Sequence, residues 1–242
     1  MTILDIKNIY KSFGDNHIHK NLSLSLNRGE TVALLGGSGT GKSVLLRSII
    51  GLEFIDSGEI YFKDQDISKL SEDELITYRL KISYAFQSGA LFDSISVFEN
   101  IAYPLYEHTK LNQLEIAHKV SEMLKLIGLE GKEDLMPSDL SGGMQKRVGM
   151  ARAIILSPDI ILYDEPTAGL DPANTLNILE LMKKLKTQGL TSLFVTHDIP
   201  AALSLCDRIL VLKDGKIYFD GSTKDFKDSD DSFLVKFKLN TF

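Results

Sequence analysis

Apolar and polar residues alternate along the first part of the chain. Ile3, Asp5 and Lys7 set against Leu4, Ile6 and Ile9 predict one half-buried strand, and Leu22, Leu24 and Leu26 predict a second. Such alternation places one face on a core and one in water, as in an antiparallel sheet. Past the turn Asn27-Arg28-Gly29-Glu30 the pattern changes. Thr31 to Leu35 is a continuous apolar run, expected of a parallel strand covered on both faces. A glycine-rich stretch follows, and Val44 to Ile50 carries a helical pattern.

Further on, Glu59 to Phe62 reads as a short strand after the turn Asp56-Ser57-Gly58. Ser71-Glu72-Asp73-Glu74 has the form of a capping box opening a helix that runs to about Arg79. Ile82 to Phe86 is a core strand ending at Gln87. From about Ser94 to Leu156 the spacing is helical. Leu114, Ala117, Val120, Leu124 and Ile127 predict one amphipathic helix, closed by Gly128 and Gly131. Met144, Val148, Ala151 and Ile155 predict another beginning near Ser141. These helices predict an inserted subdomain over about 88–157. The core resumes at 160–163, passes through a helix from about Ala173 to Lys186 with Gly189 beyond its end, and continues in the strand 190–196. Asp214-Gly215 between two apolar runs predicts a hairpin. In the tail, about 222–242, Phe233, Leu234, Val235 and Phe237 would pack on the chain's own core or on a partner subunit, own-core packing being the expectation.

With 242 residues the chain suffices for one large domain or a core with a subdomain. Its net charge of −6 argues against a nucleic-acid-coating surface, so no nucleic acid is expected as partner. The single cysteine, Cys206, sits in an apolar stretch and reads as a buried, inert thiol. The N-terminus lacks a signal-peptide pattern, and no run of about 18 apolar residues predicts a membrane span.

The candidate chemistry begins with Gly36-Gly37-Ser38-Gly39-Thr40-Gly41-Lys42-Ser43, which fits G-x-x-x-x-G-K-[ST] between a strand and a helix. Its glycines let backbone N–H groups turn inward on a polyphosphate, and the helix start adds its positive end. Lys42 would reach the β- and γ-phosphates of a nucleoside triphosphate, and Ser43 would ligate Mg²⁺. Ile160 to Tyr163 delivers Asp164 and Glu165 to the end of a strand. There they are either an acidic strand cap or, beside the phosphate loop, a Mg²⁺ ligand and a group polarising the attacking water. His197 ends another apolar strand, where it would contact the γ-phosphate. Gln87 is either an ordinary polar residue or a bridge between Mg²⁺ and water. Ser141-Gly142-Gly143 is an ordinary capped helix start or a second anion site. His108 and His118 are expected to have no special role.

In order, GGSGTGKS, Gln87, LSGGM, ILYDEP, Ala168-Gly169-Leu170-Asp171-Pro172 and Thr196-His197-Asp198 resemble the motifs of an ABC-transporter nucleotide-binding subunit over nearly the whole chain. The resemblance implies an α/β fold: a P-loop NTPase core, RecA-like with a mainly parallel sheet, plus an antiparallel β subdomain and an inserted α-helical subdomain. It implies a homodimer, head to tail, with two ATP between the subunits. Ser141, Gly142 and Gly143 of one copy would face the γ-phosphate held by the other, with Asp171 at the interface. Phe13 would stack on adenine, where a tyrosine is commoner, and Met144 stands where many relatives have glutamine.

Phe86 to Ser94, Ser96 to Ala102 and Lys146-Arg147-Val148-Gly149 resemble, more narrowly, the ATPases of Mla/Mkl-type lipid transporters. That resemblance implies an integral-membrane permease (MlaE-like) and an MCE-domain lipid-binding protein (MlaD-like) as partners. It places the chain at the cytoplasmic face of an inner membrane, energising phospholipid movement between inner and outer membranes. The alternatives are a permease for another substrate, or a mechanical signal without transport. A DNA-repair ATPase would carry a long coiled coil between Gln87 and the signature segment, where this chain has about fifty residues without heptads.

Overall fold

Two inserted residues decide which side chains of the first sheet face inward. In the computed structural model, which describes residues 1–239, β1 (Thr2–Phe13) buries Leu4, Ile6 and Ile9. The spacing slips because Asn8 takes φ 49, and the register against β2 (Asn16–Asn27) passes from Ile6↔Leu24 to Ile9↔Leu22. Asn8 N–H donates to Ser23 Oγ at 2.8 Å, and Ser23 donates back to Asn8 Oδ1 at 3.2 Å. Ile3 is buried as well, so of its set only Asp5 and Lys7 reach solvent. On β2 the alternation of Leu22, Leu24 and Leu26 breaks at Asn21, which has φ 61, and the shift turns His19 inward.

β3 (Thr31–Leu35) is buried throughout, and α1 (Lys42–Ile49) follows the glycine loop. β4 (Ser57–Phe62) pairs with β1 and then with β5 (Gln65–Asp66), giving an antiparallel sheet of order β2-β1-β4-β5. Gly58 is required at the Asn8 bulge, since a Cβ there would lie 2.6 Å from Asn8 O and Ile9 Cα. α2 (Glu72–Arg79) opens with the expected box: Ser71 N–H and Oγ donate to Glu74 at 2.9 and 2.8 Å.

The described residues form two compact units, 1–75 with 191 onward, and 76–190. The second holds β6 (Ile82–Ala85) parallel to β7 (Ile160–Asp164). Between them run α3 (Val97–His108), α4 (Gln113–Leu126) and α5 (Gly142–Ile154), and after them α6 (Pro172–Thr187). α4 corrects one expectation. Its buried stripe is Ile116, Val120 and Leu124, while Leu114 is 83% exposed and Ala117 faces solvent. Asn112 caps this helix, so Leu114 falls in its first turn on the outer side. α6 ends as expected, with Gly189 at φ 85.

The chain returns to the first unit with β8 (Thr191–Val195), α7 (Ile199–Leu205), β9 (Arg208–Lys213) and β10 (Lys216–Ser222). β3 lies between β8 and β9, parallel to both, and β9 turns into β10 through Asp214 and Gly215, both at positive φ. Cys206 is buried. α8 (Thr223–Asp228) and α9 (Ser232–Lys238) bury Phe226, Leu234 and Phe237. Phe233 meets Tyr218 edge-on at 4.9 Å, and Lys213 Nζ lies 3.8 Å from its ring centroid, so the described tail packs on the chain's own hairpin. Its last residues, Asn240–Phe242, lie outside the described residues.

Candidate functional site

In the first unit, β3 ends at Leu35 and the glycine loop turns the chain into α1. Gly39 and Gly41 take φ 74 and 97, conformations a side chain would strain. A Cβ on Gly36 would meet Leu212 O at 2.9 Å, so the loop rests directly on β9. Lys42 is 8% exposed, and its Nζ donates to Gly36 O and Gly37 O at 2.9 Å each, drawing the loop into a ring around the ammonium. Thr40 Oγ1 closes the ring on Gly37 O at 2.9 Å. α1 has no side-chain cap: Gly41 stands at its N-cap, and no acidic residue lies in its first turn.

Two further residues share this unit. β8 is parallel to β3, and Thr196 N–H reaches Leu34 O at 3.3 Å, so His197 and the glycine loop leave adjacent strands at the same sheet edge. His197 is exposed, while Asp198 caps α7 through Ala201 N–H. Phe13, 47% exposed, ends β1 with Lys11 Nζ 4.7 Å from its ring centroid. Lys11 is fixed by Glu53 and by Phe54 O, both at 2.7 Å, so one face of the ring is backed by a held cation.

The second unit carries the carboxylates. β6 and β7 are parallel with Ala85 opposite Tyr163, which brings Gln87, Asp164 and Glu165 to one edge. Asp164 is buried, and Tyr84 OH donates to its Oδ2 at 2.5 Å. Glu165 takes φ 49, a kink that turns the chain off the strand, and its carbonyl accepts from Ala168 N–H. From α5, Lys146 Nζ donates to Ala168 O at 2.5 Å. Burial lowers the Lys146 ammonium's pKa, and the Glu165 charge acts the other way. α5 begins at Ser141, whose Oγ accepts from Met144 N–H at 3.3 Å. Gly142 is exposed with open space around it, whereas a Cβ on Gly143 would strike the Asn174 side chain. Asp171 caps α6, and the Asn174 N–H and side-chain amide that bond it hold its carboxyl below the usual range.

Compared with known proteins, residues 19–168 match the family profile described as ABC transporter. The intermembrane phospholipid transport ATP-binding protein MlaF of Haemophilus influenzae is 42% identical over 97% of this chain and 89% of its own length. The chain belongs to the ABC transporter family. A methionine import ATP-binding protein, MetN 2 of Bacillus cereus, is also 42% identical, over 91% of this chain and 66% of its own. A dimeric ATP-binding cassette solved after hydrolysis, bound to ADP and phosphate, superposes with a TM-score of 0.84 at 35% identity, covering 91% of this chain and 99% of that one.

As an ABC ATPase the chain binds and hydrolyses ATP, with Mg²⁺ the usual partner ion of the family. The candidate metal donors, Ser43, Gln87 and Asp164, are hard oxygens, which suits that ion. Among the described residues no helix is long and apolar enough to cross a membrane.

Several residues that hold the loop after Gln87 were not legible in the sequence. Asn100 is wholly buried, and its amide donates to Phe92 O, Ile95 O and Ser96 O while accepting from Phe92 N–H. Arg152 donates to Ala90 O at 2.5 Å and to Asn100 Oδ1 at 3.3 Å, with its guanidinium 5.0 Å from the Phe92 ring centroid. Together they lay the loop after Gln87 onto α5. The closest point is glycine on glycine: a Cβ on Gly149 would meet Gly89 O at 2.6 Å. Gly149→Val is therefore expected to destabilise the fold by about 1–3 kcal/mol, the cost of forcing bulk into a packed contact. Chemical denaturation reads this as a lower midpoint, and an unchanged midpoint contradicts the contact.

Proposed function

We propose that this chain is the ATP-hydrolysing subunit of a transporter that moves phospholipids between inner and outer membranes. The observation that carries the lipid reading is the likeness to MlaF along 97% of the chain and 89% of that relative. MetN 2, at the same identity, shares less of both lengths, and it supports the second reading, a permease for another small solute.

In the cycle we propose, two copies pair head to tail around two ATP; that a solved relative is dimeric and binds ADP and phosphate supports the pairing. Phe13 stacks on adenine. Backbone N–H groups of Gly36 to Gly41 and the Lys42 ammonium hold the β- and γ-phosphates. Ser141, Gly142 and Gly143 of the other copy approach the γ-phosphate, and Asp171 lies at the interface. Ser43, Asp164 and Gln87 would hold Mg²⁺, whose charge would offset that of the phosphates. Glu165 orients and polarises the attacking water, and His197 contacts the γ-phosphate. Loss of that phosphate removes the bridge between the copies, and the dimer opens. The helices within 88–157 move with it, presenting residues Ser88 to Tyr106 to the permease at the cytoplasmic face of the inner membrane.

Tagged chain solubilised from its own membranes tests the assembly. An integral-membrane permease and an MCE-domain protein are expected to copurify with bound phospholipid. Recovery with a solute-import permease and no lipid overturns the lipid reading and leaves the ATPase intact.

A further inference from the structure

His19 is a histidine buried beneath the phosphate loop, and none of the roles above uses it. It is 1% exposed, turned inward by the Asn21 bulge, with its Nε2 3.1 Å from Gly41 O. The approach is close on both sides: a Cβ on Gly41 would strike Ile18 and lie 3.0 Å from His19 Nε2. The strand beneath is pinned next door, where Lys20 N–H donates to Gly215 O at 2.9 Å.

The surroundings fix the proton. Nε2 faces a carbonyl, which only accepts, so Nε2 carries the hydrogen. Nδ1 is buried with no hydrogen-bond partner among the described residues. A second proton there would be an unpaired buried charge opposite Lys11, the cross-strand neighbour of His19. Burial and Lys11 both act to lower the pKa of the imidazole, against the raising effect of the Gly41 bond. Together these surroundings favour a neutral imidazole protonated at Nε2.

We propose that His19 is a positioning residue for ATP: its Nε2–H fixes the plane of the Gly41–Lys42 peptide, so that the Lys42 N–H is aimed at the phosphates. Gly41 O also accepts the first helical bond of α1, from Leu45 N–H at 2.9 Å. Two donors on one carbonyl polarise its peptide and strengthen the N–H on the other side, the group that meets an anion at a helix start. A hydrophobic residue in this place would fill the space and supply no donor.

This inference rests on the reading of Gly36–Ser43 as the phosphate cradle. The test compares His19→Leu, which keeps bulk and loses the donor, with His19→Gln, whose amide can restore an N–H near Nε2. His19→Leu is expected to raise KM for ATP about fivefold to tenfold, the worth of one hydrogen bond, with kcat and the nucleotide-free melting temperature little changed. His19→Gln is expected to recover most of the affinity. A ¹⁵N spectrum of the wild type at neutral pH is expected to show a neutral ring protonated at Nε2. Unchanged KM in His19→Leu, a rise that Gln does not reverse, or protonation at Nδ1 overturns the proposal. Lys42→Ala serves as the separate control. If it too leaves ATP affinity unchanged, the cradle reading fails; if it abolishes binding while His19→Leu has no effect, only the role of His19 fails.

Discussion

Glu165→Gln is expected to keep ATP binding and lower steady-state hydrolysis by at least about a hundredfold, the scale of a lost general base. The substitution is nearly isosteric, so the backbone kink at Glu165 and the bond from Ala168 N–H to its carbonyl persist. What disappears is a carboxylate able to polarise water. Under the proposed cycle the variant accumulates as an ATP-loaded dimer, seen as a shift in sedimentation or gel filtration that appears with ATP and not with ADP. Full turnover in the variant would remove Glu165 from the chemistry. Slow turnover without the ATP-dependent dimer would leave the base assignment standing and contradict the sandwich.

Lys42→Ala is expected to weaken ATP binding about a hundredfold or more. A buried ammonium that makes charge-assisted bonds to its own loop is lost, along with the cation that meets the phosphates. Each tenfold is about 1.4 kcal/mol, so the expected loss is near 3 kcal/mol. The packing of α1 rests on Leu45, Leu46 and Ile49, which stay, so a folded protein with an intact circular dichroism spectrum is the expected background. Titration of a fluorescent ATP analogue reads the affinity directly. Unchanged affinity would mean that the loop is not the phosphate site.

The sequence read best where function is local. The glycine loop, the capping box at Ser71 and the Asp214-Gly215 hairpin follow from backbone preferences of neighbouring residues, and the buried runs of β3, β7 and β8 announce themselves without partners. Long-range packing was not legible. Gly89 and Gly149 are sixty residues apart, and nothing in either neighbourhood signals that the other backbone lies against it. Lys146 reads as one more polar position on a helix until Ala168 O is found at its tip. His19 was hidden for a different reason: alternation extended back from Leu22 puts 20 and 18 inside, and only the bulge reverses that. Leu114 misled in the opposite sense, matching a helical spacing that the cap at Asn112 turns outward.

The Asn21 bulge also sets which changes the floor of the phosphate loop tolerates. Leu22 and His19 stand an odd number of residues apart, and both face inward only because the bulge absorbs Asn21. Loss of Asn21 itself would leave Leu22 inward, Lys20 outward and His19 inward by plain alternation. A change that keeps every residue and flattens the bulge would instead turn His19 to solvent and bring Lys20 or Ile18 under Gly41. An ammonium or an aliphatic chain would then lie where the imidazole now donates.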